Sequence, residues 1–283
     1  MLHKIIDVNV DYEGLGLEKS GGYQPKLECF IPHNARIPVK NRPSVLICPG
    51  GAYAFTSDRE GEPVALAFMN EGFNCFVLWY SVSNPEDGTV ARFPVSMYEA
   101  MTAIAMIREN AEEWMVDPDK IFICGFSAGG HLAASVATLW NRSFVKEALG
   151  YQNGEHRPDG AILVYPVISS GKWAHRGSFE FLLGDKADDP ATMELVSLEK
   201  QVTRDNPPTF LVHTFADDAV PVKNSIDFAS ALAENGVPFE LHVFPNGPHG
   251  FSRADDLTSC EGDCIIPECA VWPQMAARWA RSL

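Results

Sequence analysis

Basic residues are scarce in this chain: 22 Lys and Arg stand against 37 Asp and Glu, a formal net charge of −15 at pH 7 with histidine neutral. Without a cationic surplus nothing supplies the attraction that nucleic acid or an anionic membrane surface demands, so neither is an expected partner. Long apolar runs are missing too. No window approaches the ~20 apolar residues of a membrane-spanning helix. The N-terminal segment Met1-Leu-His-Lys-Ile-Ile-Asp7 lacks a basic stretch followed by an apolar core, the pattern of a secretion signal. The expectation is a cytoplasmic protein. Internal repeats and low-complexity linkers are absent, so residues 1–283 are read as one domain, long enough to bury a full α/β core. Neither a phosphate-binding P-loop nor a dinucleotide fingerprint occurs, and no cofactor is expected.

Cysteine is present without the pattern of a disulfide framework. The count is seven, an odd number, and Cys48 and Cys124 end apolar strands, which reads as reduced core thiols. One cluster stands apart, Cys260-x3-Cys264-x4-Cys269. Three thiols can ligate a metal, but the spacing contains no C-x-x-C and no fourth ligand is evident, so no metal is expected and the cluster is read as packing beneath the last helix.

What the chain does contain is sharper. The segment Lys120-Ile-Phe-Ile-Cys-Gly125-Phe-Ser127-Ala-Gly129-Gly-His-Leu-Ala-Ala134 runs from β-branched residues through Gly-x-Ser-x-Gly into helix formers. That is a nucleophile elbow, in which only glycine tolerates the close backbone approach on either side of the serine. A serine nucleophile needs a base, and the base an orienting acid; in this architecture the chain order is Ser, then Asp or Glu, then His. Downstream, the strand-like Thr209-Phe-Leu-Val-His213 leads into a loop carrying Asp217 and Asp218. A further strand, Phe239–Phe244, leads into Pro245-Asn-Gly-Pro-His249-Gly-Phe251, a turn-rich loop presenting one histidine. Seven other histidines compete. His131 falls one helical turn after Ser127 and reads as a buried hydrogen-bonding residue; His213 and His242 sit within strands; His3, His33, His156 and His175 lie in surface or cap contexts, and only His175 among them has a conceivable substrate role.

Cys48-Pro-Gly-Gly-Ala-Tyr53, the elbow through Ala134, Asp217-Asp-Ala-Val-Pro221 and Gly247-Pro-His-Gly-Phe251 together resemble the small serine esterases of the α/β-hydrolase superfamily. They are most similar to the bacterial acetyl-esterase group, which includes acetylxylan esterases and the Bacteroidetes-type feruloyl esterases. The likeness runs over nearly the whole chain. It departs in one place: the His-Gly-Gly-Gly of many lipases and esterases reads Pro49-Gly50-Gly51-Ala52, a change that keeps the backbone donors. The resemblance implies a carboxylesterase with Ser127, His249 and Asp217 as its triad, Asp217 being preferred to Asp218 by the family's Asp-x-x-Val-Pro spacing. It implies an oxyanion hole from the N–H groups of Ala128, Gly51 and Ala52, and a small-molecule ester such as an acetylated sugar or xylo-oligosaccharide as substrate. A feruloyl esterase, an amide-cleaving relative such as an arylformamidase or small peptidase, and a non-catalytic binding protein remain alternatives, as does a homo-oligomeric state.

Strands are expected at 5–10, 27–31, 45–48, 74–80, 120–124, 161–165, 209–213 and 239–244, with helices at about 61–71, 94–114, 130–140, 223–235 and 270–281. Strands alternating with helices in the second half predict a mostly parallel eight-stranded sheet flanked by helices, with the first strands as an antiparallel edge. The stretch between Pro166 and Thr209 is too long for a plain crossover and is read as a small cap, about 167–205. Trp173 and Phe179 in the cap, and Tyr53 beside the oxyanion loop, are expected to line the substrate pocket.

Overall fold

The computed structural model describes residues 1–32, 41–84, 86, 88–259 and 262–283; His33 and Cys260 lie outside them. Strands are β1 (Leu2–Asp7), β2 (Lys19–Ser20), β3 (Lys26–Ile31), β4 (Arg42–Cys48), β5 (Asn74–Trp79), β6 (Val90–Ala91), β7 (Val116–Phe126), β8 (Gly160–Val164), β9 (Thr209–Thr214) and β10 (Phe239–Phe244). Helices are α1 (Glu62–Asn70), α2 (Val95–Glu109), α3 (Ser127–Leu139), α4 (Ser143–Leu149), α5 (Arg176–Leu183), α6 (Pro190–Leu195), α7 (Lys223–Glu234) and α8 (Trp272–Ser282). Eight strands form one sheet in the order β1-β3-β5-β4-β7-β8-β9-β10, while β2 and β6 pair separately. β1/β3 and β3/β5 are antiparallel, and every pair from β5/β4 to β9/β10 is parallel. The expected eight strands and antiparallel edge are present.

Side-chain alternation along each central strand divides the core into two layers. Leu46, Ile123, Leu163 and Leu211 face the layer of α2, α3 and the cap. Val45, Ile47, Phe122, Cys124, Ile162, Val164, Phe210 and Val212 face the layer of α1 and α8. With both faces covered, β8 is apolar and buried throughout, as a central parallel strand must be. The last helix buries Trp272, Ala276, Trp279 and Ala280, spaced as one helical face. Cys264 and Cys269 pack in that same layer.

Several boundaries differ from expectation: β4 starts at Arg42 instead of 45, β7 spans Val116–Phe126 instead of 120–124, α3 starts at Ser127 instead of 130, and two further shifts have a plain cause. Pairing with β3 in the register Leu2↔Ile31 to Asp7↔Lys26 sets the first strand at 2–7 instead of 5–10. Helix α2 ends at Glu109, not Trp114, because the Asn110 side chain bonds back to the Met106 carbonyl while Asn74 takes the carbonyls of Trp114 and Met115. The insertion after β8 carries the short helices α5 and α6 and is tied down by buried Asn224, which accepts from the N–H groups of Ile168 and Ser169 and donates to the carbonyl of Trp173.

The elbow is where the fold is tightest. A Cβ at Gly125 would lie 2.1 Å from the Gly129 carbonyl oxygen, and one at Gly129 would lie 2.2 Å from the carbonyl of Cys48 and 2.3 Å from that of Pro49. These are backbone atoms of the first turn of α3, of the end of β4 and of its exit loop, and they have nowhere to go. Gly129→Ala is therefore expected to lower unfolding stability by at least about 2 kcal/mol in a urea titration; a loss below about 0.5 kcal/mol would contradict the close-approach account.

Candidate active site

Ser127 sits at the junction of β7 and α3 with φ 52°, the left-handed region that non-glycine residues rarely occupy. That conformation turns its hydroxyl out of the helix and toward the loop after β10. Ser127 Oγ is 2.8 Å from His249 Nε2, and His249 Nδ1 is 2.7 Å from Asp217 Oδ2. Three loops that follow the carboxyl ends of parallel strands thus converge on one relay. Asp218, one residue on, is exposed and takes no part.

Asp217 is the most heavily bonded of the three. Its Oδ1 accepts the N–H groups of Ala219 and Val220, and its Oδ2 accepts from His249 and from His213 Nε2 at 3.2 Å. Burial opposes ionisation of this carboxyl, but the hydrogen bonds from His213, His249 and Val220 outweigh it and hold Asp217 well below the usual carboxylate range. His213 is a functional neighbour that sequence reasoning left inside a strand; its other nitrogen meets Ser225 Oγ at 2.8 Å.

A second buried carboxyl, Glu60, was not foreseen. Its Oε2 accepts the Gly50 N–H at 2.6 Å and its Oε1 accepts the Tyr165 hydroxyl at 2.7 Å. Tyr165 accepts in turn from the Ser252 N–H, and its ring lies edge-on to His249 with centroids 5.1 Å apart. Burial pushes the Glu60 carboxyl up from its ordinary value. Arg59 completes the brace by donating to the carbonyls of Gly250 and Thr258. The single available signal was an acidic residue just before α1, which equally marks an ordinary helix start.

Gly51 and Ala52 have φ 129° and 56°, and among the described residues their N–H groups make no hydrogen bond within the chain. Ala128 lies in the first turn of α3, where N–H groups have no intrahelical acceptor. A cavity of about 340 Å³ is lined by Gly51, Ala52, Phe55, Ser57, Arg59, Glu60, Ser127, His175, His249 and Gly250, and not by Ala128.

The expected substrate-lining aromatics are not there. Tyr53 is 2% exposed, turned inward by φ 61°, with its hydroxyl 2.9 Å from His131 Nδ1. His131 is buried and its Nε2 meets the Val196 carbonyl; burial pulls it down to about 4, so it stands neutral as a structural link. Phe179 is 1% exposed and packs its edge on His131, as cap core. Trp173 is outside the cavity lining, its ring under the Lys172 ammonium at 4.6 Å. Phe55, 58% exposed, takes the place they were assigned. Among the described residues no three His, Cys, Asp or Glu side chains gather to hold a metal ion.

The parallel sheet and its elbow define an α/β hydrolase. Residues 27–232 match the family model described as BD-FAE, and the chain belongs to that family. It is 39% identical over 240 residues to endo-1,4-beta-xylanase B of Butyrivibrio fibrisolvens, matching 84% of this chain and 36% of that protein. It is 30% identical over 243 residues to the acetylxylan esterase of Xylanibacter ruminicola, matching 83% of this chain and 45% of that one. The chain thus spans less than half the length of these curated relatives. The acetyl ester-xyloside bifunctional hydrolase of Caldicellulosiruptor lactoaceticus shares the fold over 99% of this chain and 96% of its own, with TM-score 0.81 and 34% identity.

The depressed pKa of Asp217 carries a sign. Its folded value lies below the unfolded one, so its contribution to stability is present above about pH 3.9 and is lost as pH falls toward the folded value. Asp217→Asn is expected to flatten the fall in Tm between about pH 4 and pH 2 relative to wild type; parallel curves there would contradict the hydrogen-bonded carboxylate.

Proposed function

We propose that the protein is a serine carboxylesterase acting on short-chain acyl esters, foremost acetyl esters of sugars or xylo-oligosaccharides. The observation that carries this reading is the continuous relay from Ser127 Oγ through His249 to Asp217 Oδ2, at 2.8 and 2.7 Å. With Nδ1–H donated to Asp217, the His249 Nε2 lone pair faces the serine hydroxyl. His249 takes the hydroxyl proton as Ser127 attacks the ester carbonyl, then returns it to the leaving alcohol, and water repeats the cycle on the acyl-enzyme. Asp217, ionised across the working pH range, stabilises the imidazolium. The N–H groups of Ala128, Gly51 and Ala52 receive the charge on the tetrahedral oxygen, an effect worth on the order of 10²–10³ in kcat per donor.

The names of the family's relatives support an ester substrate, and the complete relay speaks against a non-catalytic pocket. Cys29, Cys48, Cys75, Cys124, Cys264 and Cys269 are buried free thiols, which supports a reducing compartment, the cytoplasm.

Ser127→Ala is expected to keep the fold and lose ~10⁵–10⁶ in kcat on p-nitrophenyl acetate. Asp217→Asn should cost on the order of 10³–10⁴ by misdirecting the tautomer of His249, and Asp218→Asn less than ~10-fold. Wild-type turnover in Ser127→Ala, or the reverse ranking of the aspartates, would overturn these roles.

The small cavity between Phe55, Glu60 and the 51–52 loop favours short acyl groups. Acetyl should exceed butyryl by ~10–200-fold in kcat/KM, with octanoyl poorer still. A steady rise from acetate to octanoate would contradict the reading; faster hydrolysis of methyl ferulate or N-formylkynurenine than of acetate esters would move the chain to aromatic esters or to amides.

A further inference from the structure

Besides Ser127 and His249, the polar side chains that line the cavity are Ser57, Arg59, Glu60 and His175. Glu60 is spent on Gly50 and Tyr165, and Arg59 on the carbonyls of Gly250 and Thr258. Ser57 stands on the oxyanion-loop side, its N–H donated to the Gly50 carbonyl. His175 is different. It comes from the cap, immediately before α5, and only its Nδ1 is engaged, 2.9 Å from the buried Ser178 Oγ. That contact fixes the ring. It leaves Nε2 without a hydrogen-bond partner among the described residues, on a half-buried side chain that faces the same cavity as the serine.

His175 is not a second general base. A hydroxyl, not a carboxylate, faces its Nδ1; burial, with the nearby His249 adding to it, lowers its pKa and outweighs the opposite pull of Asp217 and Glu180. Its place relative to His249 indicates which part of the substrate it meets. The proton held on His249 Nε2 must be delivered to the leaving oxygen, so the alcohol departs beside His249. His175 lines the cavity together with His249 and comes from the cap instead of from the loop of Gly51 and Ala52, so it is assigned to the alcohol side. Because the Ser178 hydroxyl can donate or accept, Nε2 is free to accept or donate, which matches an alcohol O–H that does both.

We propose that His175 is a specificity-determining residue, whose Nε2 hydrogen-bonds a hydroxyl group flanking the scissile ester and so selects esters of ring polyols over esters of plain alcohols. The proposal rests on the esterase reading and names what that site recognises. A site built around such a hydrogen bond penalises a substrate that lacks the hydroxyl.

The test compares kcat/KM on methyl mono-O-acetyl-xyloside with that on cyclohexyl acetate, whose leaving alcohol has a six-membered ring and no further hydroxyl. Wild type should prefer the glycoside. His175→Ala should reduce that preference on the order of tenfold, His175→Gln should restore part of it, and Ser178→Ala, which releases the ring, should fall between. Equal losses on both esters would mark His175 as structural and overturn the proposal, as would a wild type without preference for the glycoside. A folded wild type that hydrolyses neither ester, nor p-nitrophenyl acetate, would overturn the esterase reading itself.

Discussion

The first turn of α3 lies against the loop leaving β4 with no room for a side chain between them, since a Cβ on Gly129 would overlap the carbonyls of Cys48 and Pro49. Two features depend on this contact. It holds Ser127 at φ 52°, a conformation that costs on the order of 1–3 kcal/mol and persists only where the surroundings over-determine it. It also aims the serine hydroxyl along the single direction from which the loop after β10 can meet it. The strain is carried by the packing of β7, whose residues 121–126 are buried on both faces of the sheet.

Given that elbow, the remaining task is to hold three loops against it. Asp217 does this for the loop after β9, with both carboxylate oxygens saturated by backbone and histidine donors, each charge-assisted bond contributing about 1.5–3 kcal/mol. Glu60 and Tyr165 do it for the loops after β4 and β10 together, since Glu60 receives Gly50 while Tyr165 receives Ser252 and packs on His249. Arg59 adds a clasp across residues 250 and 258. Removal of a member of such a network leaves a buried polar group unpaired, so the site's rigidity is a collective property.

The strand pattern and the Ser127, Asp217 and His249 constellation were legible because each rests on local chemistry: apolar runs for parallel strands, paired glycines for the elbow, turn residues for the loops. Boundaries set by pairing were not, as the shift of β1 shows. Tyr53 and Phe179 misled for a related reason. Adjacency in the chain does not say which way a side chain points, and the positive φ at Ala52 and Tyr53 sends the tyrosine inward to His131. Arg59, Glu60 and Tyr165 were illegible because each is an ordinary residue in its own segment and acquires its role only across long stretches of chain, 105 residues in the case of Glu60 and Tyr165; His213 is only four residues from Asp217 but reads as an ordinary strand residue.

Covalent trapping tests the central claim most directly. The protein is treated with diethyl p-nitrophenyl phosphate, and the adduct is located by peptide mass mapping while residual activity on p-nitrophenyl acetate is followed. One diethylphosphoryl group per chain is expected, on Ser127, with activity lost in proportion to its formation. A stoichiometric adduct at another residue, or full activity with Ser127 modified, would contradict it.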